Sequence, residues 1–413
     1  MLVADITNAA RSEPQTERMR PLLVVAFALS GAAGLILEVA WFRRLGVGSS
    51  MVAGAAGIVT AAYMGGLALG NWIGGRLSSR SQHRLWIYGA MEAVVALSAV
   101  LVPLGLSPMS PESHFLSWVA AGTLLMIPTT AMGMGLPLLA STMERSASGK
   151  TTAFLYAVNT AGAALGVSWA GFWGLPMLGA EIVDLVAACI QLGVVALICA
   201  AAWRAPRCIT REDQRPETRL DSERQGIKPS AVVLLSAGSA SAAAMLVQVS
   251  WTELAVQRLG QLGEGFSITV LAFIAGLSVG GFVAMRLLQR MGDLHRTLAA
   301  MLGVTAMCLV LAWFTTPNEG APLVMIIPLL PMTVAGGTLF PLFVGLSSSG
   351  GASIGVSVGT TGAASTVGAI MGSLGAIGLL PALGAPTSLV ACVVVYATLA
   401  AVFALRAARR RAC

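Results

Sequence analysis

The sequence has little charge and few of the residues that metal or catalytic sites need. Only 10% of its 413 residues are Asp, Glu, Lys or Arg, and three are histidine, all of them in predicted loops: His83, His114 and His295. The six cysteines show no spacing typical of a metal site or a disulfide framework. No basic cluster carries interleaved aromatic residues. We therefore expect no metal, no cofactor, no nucleic-acid partner and no enzymatic activity.

Apolar residues take the place of the missing charge. They make up 56% of the chain, and the mean hydropathy is +0.81. A soluble domain cannot bury that much apolar surface, whereas a lipid bilayer accommodates it. Unbroken apolar runs of about twenty residues predict membrane-spanning helices rather than the alternating strands of a barrel. About twelve such spans are predicted, at 21–42, 51–75, 85–105, 116–138, 151–175, 182–203, 231–252, 266–285, 297–316, 321–345, 352–379 and 386–406.

Basic residues fall almost entirely on one side of this twelve-span arrangement. Of the 25 basic residues, all except Arg43, Arg44 and Arg258 lie in the loops and termini of that side. Loops rich in Lys and Arg stay in the cytoplasm. Richness in alanine, glycine and arginine is typical of a high-GC bacterium. The pattern predicts a multi-pass protein of the bacterial inner membrane with both termini cytoplasmic.

The spans form two copies of one pattern. Glu38-Val39-Ala40-Trp41 corresponds to Gln248-Val249-Ser250-Trp251, 210 positions further along, and the register continues from Tyr63 and Phe273 to Leu77 and Leu287. A duplicated bundle with its substrate held between the halves is a recurring plan of secondary transporters. The predicted fold is an all-α polytopic membrane protein with two parallel six-helix repeats.

The same pattern divides the chain into segments. We expect a cytoplasmic N-terminal segment (1–20), a first six-helix bundle (21–203), a mobile charged linker (204–229), a second bundle (230–406) and a basic tail (407–413). Small residues recur every four positions in both bundles, as at Gly66, Gly70 and Gly74. Such stripes are typical of close helix packing, and they also suit a seam along which two halves rock.

Acidic residues inside spans are costly and therefore indicate function. Glu38 and its repeat counterpart Gln248 are candidates for binding a substrate or a proton in a central cavity, together with Tyr63. An ion pair of Glu38 with Arg43 or Arg44 at the membrane interface is the alternative interpretation. Asp184, at the start of a span, suits a helix N-terminus.

Two further polar residues are candidates for the same site. Glu92 lies about 10 Å into the third span and fits either a proton relay or a hydrogen bond to a neighbouring helix, such as the one bearing Asn71 or Asn159. Asn159 itself suits ligand contact and interhelical hydrogen bonding equally well.

The organisation resembles the major facilitator superfamily, which carries Gly-x-Leu-x-Asp-Arg-x-Gly-Arg-(Lys/Arg) between spans two and three. Here the loop runs from Gly75 to Arg84, with Ser79 in place of the aspartate and Gln82 in place of the second glycine. A partial copy follows span eight. The resemblance implies that these loops gate the transporter, through Arg76, Arg80, Arg84, Arg286 and Arg290. Because the aspartate is missing, the latch that it forms in that family is in doubt.

A closer resemblance covers most of the chain. Three stretches are similar to the bacterial fused MFS/spermidine synthases: Leu29–Trp41, Met64–Gly70 and Leu155–Gly166. Many members append a soluble aminopropyltransferase-like domain, and this chain has no glycine-rich strand-turn-helix of that kind. The resemblance implies that any synthase activity belongs to a separate polypeptide.

These patterns lead to one functional hypothesis and one alternative. The first is a transporter of a small organic solute, with a cationic or polyamine-like, proton-coupled cargo suggested by the asymmetric placement of acids. The alternative is a membrane partner, itself without transport activity, of a separately encoded aminopropyltransferase-like enzyme.

Overall fold

The computed structural model describes residues 2–47, 52–106, 115–143, 149–204, 229–259, 262–290, 292–315 and 327–412. Over these ranges the chain is helical, with α1 to α12 in the order Leu2–Val47, Val52–Arg80, Arg84–Leu106, Phe115–Gly133, Gly135–Met143, Lys150–Trp169, Leu175–Arg204, Ala231–Leu259, Leu262–Arg290, Leu294–Thr315, Leu330–Ser349 and Ile354–Ala412. A π-helical turn, Ala170–Gly174, joins α6 to α7, and a 3₁₀ turn, Ile327–Leu329, precedes α11.

The helices are long and apolar enough to cross a bilayer. Ten stretches of the described residues meet that condition. One of them, Lys150–Trp203, has 54 residues and would extend about 80 Å as one helix, far more than a hydrocarbon core of about 30 Å. It therefore contains two crossings. The predicted fold class, an all-α polytopic membrane protein built from two bundles, is confirmed.

Two glycines turn the chain where consecutive spans meet. Gly179 in α7 has φ 77° and ψ 168°, and Gly384 in α12 has φ 76° and ψ 164°. Positive φ of this kind is adopted readily only by glycine. The two glycines are 205 positions apart (from 179 to 384), and each separates the last two spans of its bundle. α12 consequently contains both the eleventh and the twelfth span.

The sequence repeat is also a repeat of contacts. α2 and α9 both have 29 residues. A Cβ on Gly162 would collide with Ala28 of α1, and a Cβ on Gly368 would collide with Gly238 of α8, the counterpart of Ala28. Trp41 and Trp251 are each 1% exposed. The regular small-residue stripes thus pack helices within each bundle.

The two bundles meet mainly along two helix pairs, α2 with α12 and α6 with α9, and α5 also contacts α12. In the first pair a Cβ built on Gly359 would lie 2.6 Å from Gly75 Cα. In the second pair Ser278 Oγ donates a 2.9 Å hydrogen bond to the Ala157 carbonyl. These seams use different residues from the packing stripes. In α2, Gly74 faces Met134 of its own bundle while the next residue, Gly75, faces α12.

The seam contacts are concentrated near one face of the molecule. We call this the terminal face, defined by Arg76–Arg84 and Arg406–Arg410. The apolar cluster near it in the first bundle includes Val344 and Val358 of the second bundle. The cluster around Trp41, towards the opposite face, contains residues of the first bundle alone. Within the described residues, the bundles are in close contact near the terminal face.

The structure bears on two predicted segments without testing their boundaries. Residues 2–20, expected to form a separate polar segment, continue directly into α1. Most of the linker, 205–228, lies outside the described residues, as does Cys413 at the end of the tail.

Adding a methyl group at the α2–α12 seam should open the terminal face. Gly359→Ala forces the two backbones apart, although Gly→Ala within a helix is otherwise favourable by about 0.5–1 kcal/mol. Ser78 is fully buried beside this seam. We expect Gly359→Ala to raise the alkylation rate of a Ser78→Cys reporter several-fold in a background without native cysteines. Gly303→Ala, where a Cβ meets no atom within 4 Å, is the matched control. An unchanged rate at Gly359→Ala would contradict a seam closed by glycine contact.

Candidate functional site

Two of the predicted site residues, Glu38 and Tyr63, lie together. The Tyr63 hydroxyl faces the Glu38 carboxylate and lies 3.7 Å from Met132 Sδ. Tyr63 is 6% exposed, whereas Glu38 remains partly exposed. The group therefore joins α1, α2 and α4 of the first bundle. It lies about 25 Å along α1 from Pro21, beyond the seam contacts and towards the opposite face.

Arg44 does not pair with Glu38. Its Nη2 lies 2.7 Å from Asp184 Oδ2, and its Nε lies 3.1 Å from the same oxygen. The alternative interpretation paired Glu38 with Arg43 or Arg44, whereas Arg44 here joins α1 to α7 through Asp184. Asp184 acts as the partner of an arginine rather than as a helix cap. Among the described residues, the Tyr63 hydroxyl is the polar group that faces the Glu38 carboxylate.

Gln248 occupies the equivalent place in the second bundle. It is partly exposed on α8, as Glu38 is on α1. Over the described ranges, α1 and α8 form no packed interface with each other. The counterpart of Tyr63 is Phe273, which is buried. At these equivalent positions the first bundle has an acid and a phenol, and the second has an amide and a phenyl ring.

Glu92 lies elsewhere, in the interior of the first bundle. Ser30 Oγ of α1 donates a 2.7 Å hydrogen bond to Glu92 Oε1, and Tyr88 and Gln191 face the same carboxylate. Neither Asn71 nor Asn159, named from the sequence as potential partners, takes this place. α3, which carries Glu92, packs against helices of its own bundle.

Asn159 fixes two helices to each other. Its Nδ2 donates a 2.9 Å hydrogen bond to the Phe27 carbonyl of α1, and a Cβ on Gly31 would lie 2.8 Å from that same nitrogen. The amide is therefore committed to an interhelical contact. Of the two interpretations drawn from the sequence, this geometry favours the structural one.

The predicted gating arginines have diverse environments at the terminal face. Arg76 stacks on Trp72, with Cζ 3.6 Å from the ring centroid, and Arg84 Nη1 donates to the Ser141 carbonyl at 3.1 Å. Arg80, Arg286 and Arg290 are exposed. Ser79, which replaces the expected aspartate, donates to the Arg76 carbonyl of its own helix at 2.8 Å. The hydrogen bond of Ser79 therefore stays within α2.

Residues overlooked in the sequence close the seam instead. Ser78 lies against Gly355, and the Asn71 amide oxygen lies 2.7 Å from where a Cβ of Gly362 would be. Ser278 bonds across the other seam. Isolated serines and asparagines of this kind carry no periodic signal, because only the docking of two bundles gives them partners.

Comparisons with known proteins agree on one family. The model of the Major Facilitator Superfamily matches residues 21–376. No curated protein sequence matches the chain.

Solved structures share the fold at low sequence identity. The E. coli fucose:proton symporter FucP, in a variant form, superposes with a TM-score of 0.62 at 15% identity, covering 94% of this chain and 98% of its own. FucP in the outward conformation gives 0.61 at 15% identity, covering 93% and 98%. The proton:xylose symporter XylE, bound to 6-bromo-6-deoxy-D-glucose, gives 0.65 at 13% identity and 95% of both chains.

The different surroundings of Asp184 and Glu38 can be tested by measuring the stability of one variant at each position. Asp184→Asn removes the charge partner of Arg44, and breaking a buried pair costs about 3–5 kcal/mol. Because the Arg44 side chain is 21% exposed, we expect about 1–3 kcal/mol, seen as a fall of several degrees in melting temperature. Glu38→Gln breaks no ion pair and should cost less than about 1 kcal/mol. An equal loss of stability in both variants would favour the alternative interpretation, in which Glu38 forms an ion pair at the membrane interface.

Proposed function

Because the chain belongs to the major facilitator superfamily, we propose that it is a secondary transporter of a small organic solute that works by alternating access. Residues 21–203 rock against residues 230–406, and the solute binds between them, beside Glu38. The bilayer and the solute are its working partners.

The way the bundles touch supports this motion. The α2–α12 seam consists largely of small residues in backbone contact, whereas the α6–α9 seam also contains the aromatic pair Phe154 and Phe282. Close contacts of small residues separate without dragging long side chains out of the other bundle, so the α2–α12 seam suits such a motion. The close contact near the terminal face and the site beyond it correspond to one end state of a rocking cycle.

The surroundings of Glu38 are the main support for the proposed site. It is a carboxylate inside a span, it remains partly exposed, and the nearby arginine is already bound to Asp184. A charged group so placed marks a substrate or proton pathway by default. Tyr63 supplies a hydroxyl that can donate to the carboxylate or to a ligand. Gln248 supplies amide donors and an acceptor on the opposite wall.

We propose a cationic, proton-coupled cargo, with a polyamine as the specific candidate. A carboxylate without an arginine partner suits an ammonium group or a proton equally, and competition between the two would couple their movements. The polyamine comes from the resemblance to the fused MFS/spermidine synthases. A neutral sugar is the competing class, since FucP and XylE are sugar:proton symporters.

A ligand screen followed by flux measurement tests the proposal. A ligand at about 100 times its dissociation constant stabilises a protein by about 2.7 kcal/mol. We expect spermidine or putrescine, rather than fucose or xylose, to raise the melting temperature of the purified protein. Glu38→Gln should abolish that shift, and it should abolish proton-driven uptake of the same ligand by proteoliposomes.

The control is Glu253→Gln, which removes an acid of α8 outside the proposed site. It should leave both signals in place. Proton-coupled uptake that is unchanged in Glu38→Gln would remove Glu38 from the mechanism. A rise in melting temperature with sugars alone would contradict a cationic cargo and favour a neutral sugar.

The same vesicles address the alternative role, that of a membrane partner of a separate aminopropyltransferase-like enzyme. Solute flux in vesicles containing this chain alone contradicts a role that lacks transport. Co-purification of a soluble synthase-like protein without flux would favour it.

We propose further that the terminal face is cytoplasmic and the membrane is the bacterial inner membrane. Arg76, Arg80, Arg286, Arg290 and Arg410 are exposed at this face, in keeping with the rule that basic residues stay inside. The state with close contact near this face would then be outward-facing.

Reporter fusions test this orientation. A green fluorescent protein fused after Cys413 should fluoresce in a bacterial host, and an alkaline phosphatase fused there should be inactive, because it folds only outside the cytoplasm. The same pair inserted between Pro108 and Ser113, in the predicted outer loop, should give the reverse. Active phosphatase at the C-terminus would invert the topology.

A further inference from the structure

Four polar side chains form a second buried group, separate from the Glu38 site. They are Ser30 on α1, Tyr88 and Glu92 on α3, and Gln191 on α7, and together we call them the Glu92 cluster. Tyr88 is 1% exposed, Glu92 is 3% exposed and Gln191 is fully buried. Along α1, Ser30 is eight residues from Glu38, about 12 Å.

The hydrogen-bonding capacity of this cluster is largely unused. Ser30 donates to one carboxylate oxygen of Glu92. The other oxygen, the Tyr88 hydroxyl and both amide atoms of Gln191 find no hydrogen-bond partner among the described residues, although all face the same point. Unsatisfied buried polar groups are expensive, so a group that keeps several of them calls for an explanation.

The charge of Glu92 is also uncompensated. Within the part of the chain that the structure describes, no basic side chain acts on it, and its neighbours are the serine, the tyrosine and the glutamine. α4 and α5, which also pack against α3, contain no titratable residue. Of the described acidic and basic side chains of α1 and α7, Arg44 pairs with Asp184 and Glu38 faces Tyr63, while those of Arg20, Arg43 and Glu181 are exposed. A carboxylate in such surroundings has to be neutralised by a cation.

The second bundle shows that the scaffold does not require these residues. The 210-residue repeat takes Ser30, Tyr88 and Glu92 to Ala240, Leu298 and Leu302. The 205-residue offset between Gly179 and Gly384 takes Gln191 to Tyr396. There Leu298 and Leu302 are fully buried, and Tyr396 donates a 3.1 Å hydrogen bond to the Ala240 carbonyl. The same site in the fold is therefore filled by an apolar core closed with a single tyrosine.

We propose that the Glu92 cluster is a proton-binding site, distinct from the Glu38 site and lying away from the seam. Glu92 takes up and releases the proton. Tyr88 and Gln191 provide donors to the ionised carboxylate and acceptors to the protonated one, so both states are accommodated. Its meaning for transport rests on the proposed function, since α1 carries both Ser30 and Glu38, but proton binding itself is measured without transport.

Infrared difference spectroscopy of the purified full chain tests the site. We expect the carbonyl band of a protonated carboxylic acid to disappear as the buffer is changed from acidic to alkaline. Glu92→Gln should remove the part of this change that comes from the cluster, and Glu38→Gln should leave that part in place. A spectrum of Glu92→Gln identical to wild type over the whole range would overturn the proposal.

Sodium provides the second arm. Replacing Na⁺ by a bulky organic cation at constant pH should leave the Glu92 band unchanged. A band that responds to Na⁺ in the wild type and not in Glu92→Gln would contradict the assignment to a proton.

A rebuilt core separates a binding role from a structural one. The four substitutions Ser30→Ala, Tyr88→Leu, Glu92→Leu and Gln191→Tyr copy the second bundle into the first. We expect an equal or higher melting temperature, because replacing buried charge by packed apolar groups is often neutral or stabilising, with the titrating band lost. A lower melting temperature would show that the cluster holds the bundle together, and that result would overturn the inference.

Discussion

Hydrocarbon offers no hydrogen bonds and no solvation to charge, and this constraint governs the whole molecule. Every span is helical because its peptide groups must be satisfied within the chain. The same constraint makes each intramembrane acid identifiable. Asp184 meets Arg44, Glu38 meets the Tyr63 hydroxyl, and Glu92 meets Ser30, so three acids with the same cost in lipid have three different surroundings. Their surroundings, rather than their presence, distinguish a structural ion pair from a candidate binding site.

The two bundles are related in backbone and divergent in chemistry. The contacts of Gly162 with Ala28 and of Gly368 with Gly238 are the same contact made twice. The polar groups are not duplicated: Gln248 stands where the first bundle has Glu38, and the interior of the second bundle has leucines where the first has Glu92 and Tyr88. Among the described residues, the two buried acids, Glu92 and Asp184, both lie in the first bundle.

Much of the architecture was predictable from the sequence, because the number of spans and the repeat depend on composition and spacing alone. The grouping of Glu38 with Tyr63 was also predictable, since both lie in the repeated pattern. The partners of Arg44 and Glu92 were not, because both are distant in sequence: Asp184 reaches Arg44 only when α7 packs on α1, and Ser30 reaches Glu92 only when α1 packs on α3. The regular glycine stripe was a correct sign of packing, but it did not identify the seam, which uses Gly75 and Gly359 on another face of their helices.

The adjacent glycines of α2 impose a limit on how this helix can change. A helix turns by 100° per residue, so Gly74 and Gly75 point to two different neighbours, one in each bundle. Inserting or deleting one residue of α2 ahead of them would rotate both by about 100°, so neither glycine would keep its neighbour. A change of length in α2 would therefore disturb both bundles, and the described parts of α2 and α9 correspond residue for residue at an offset of 210 positions.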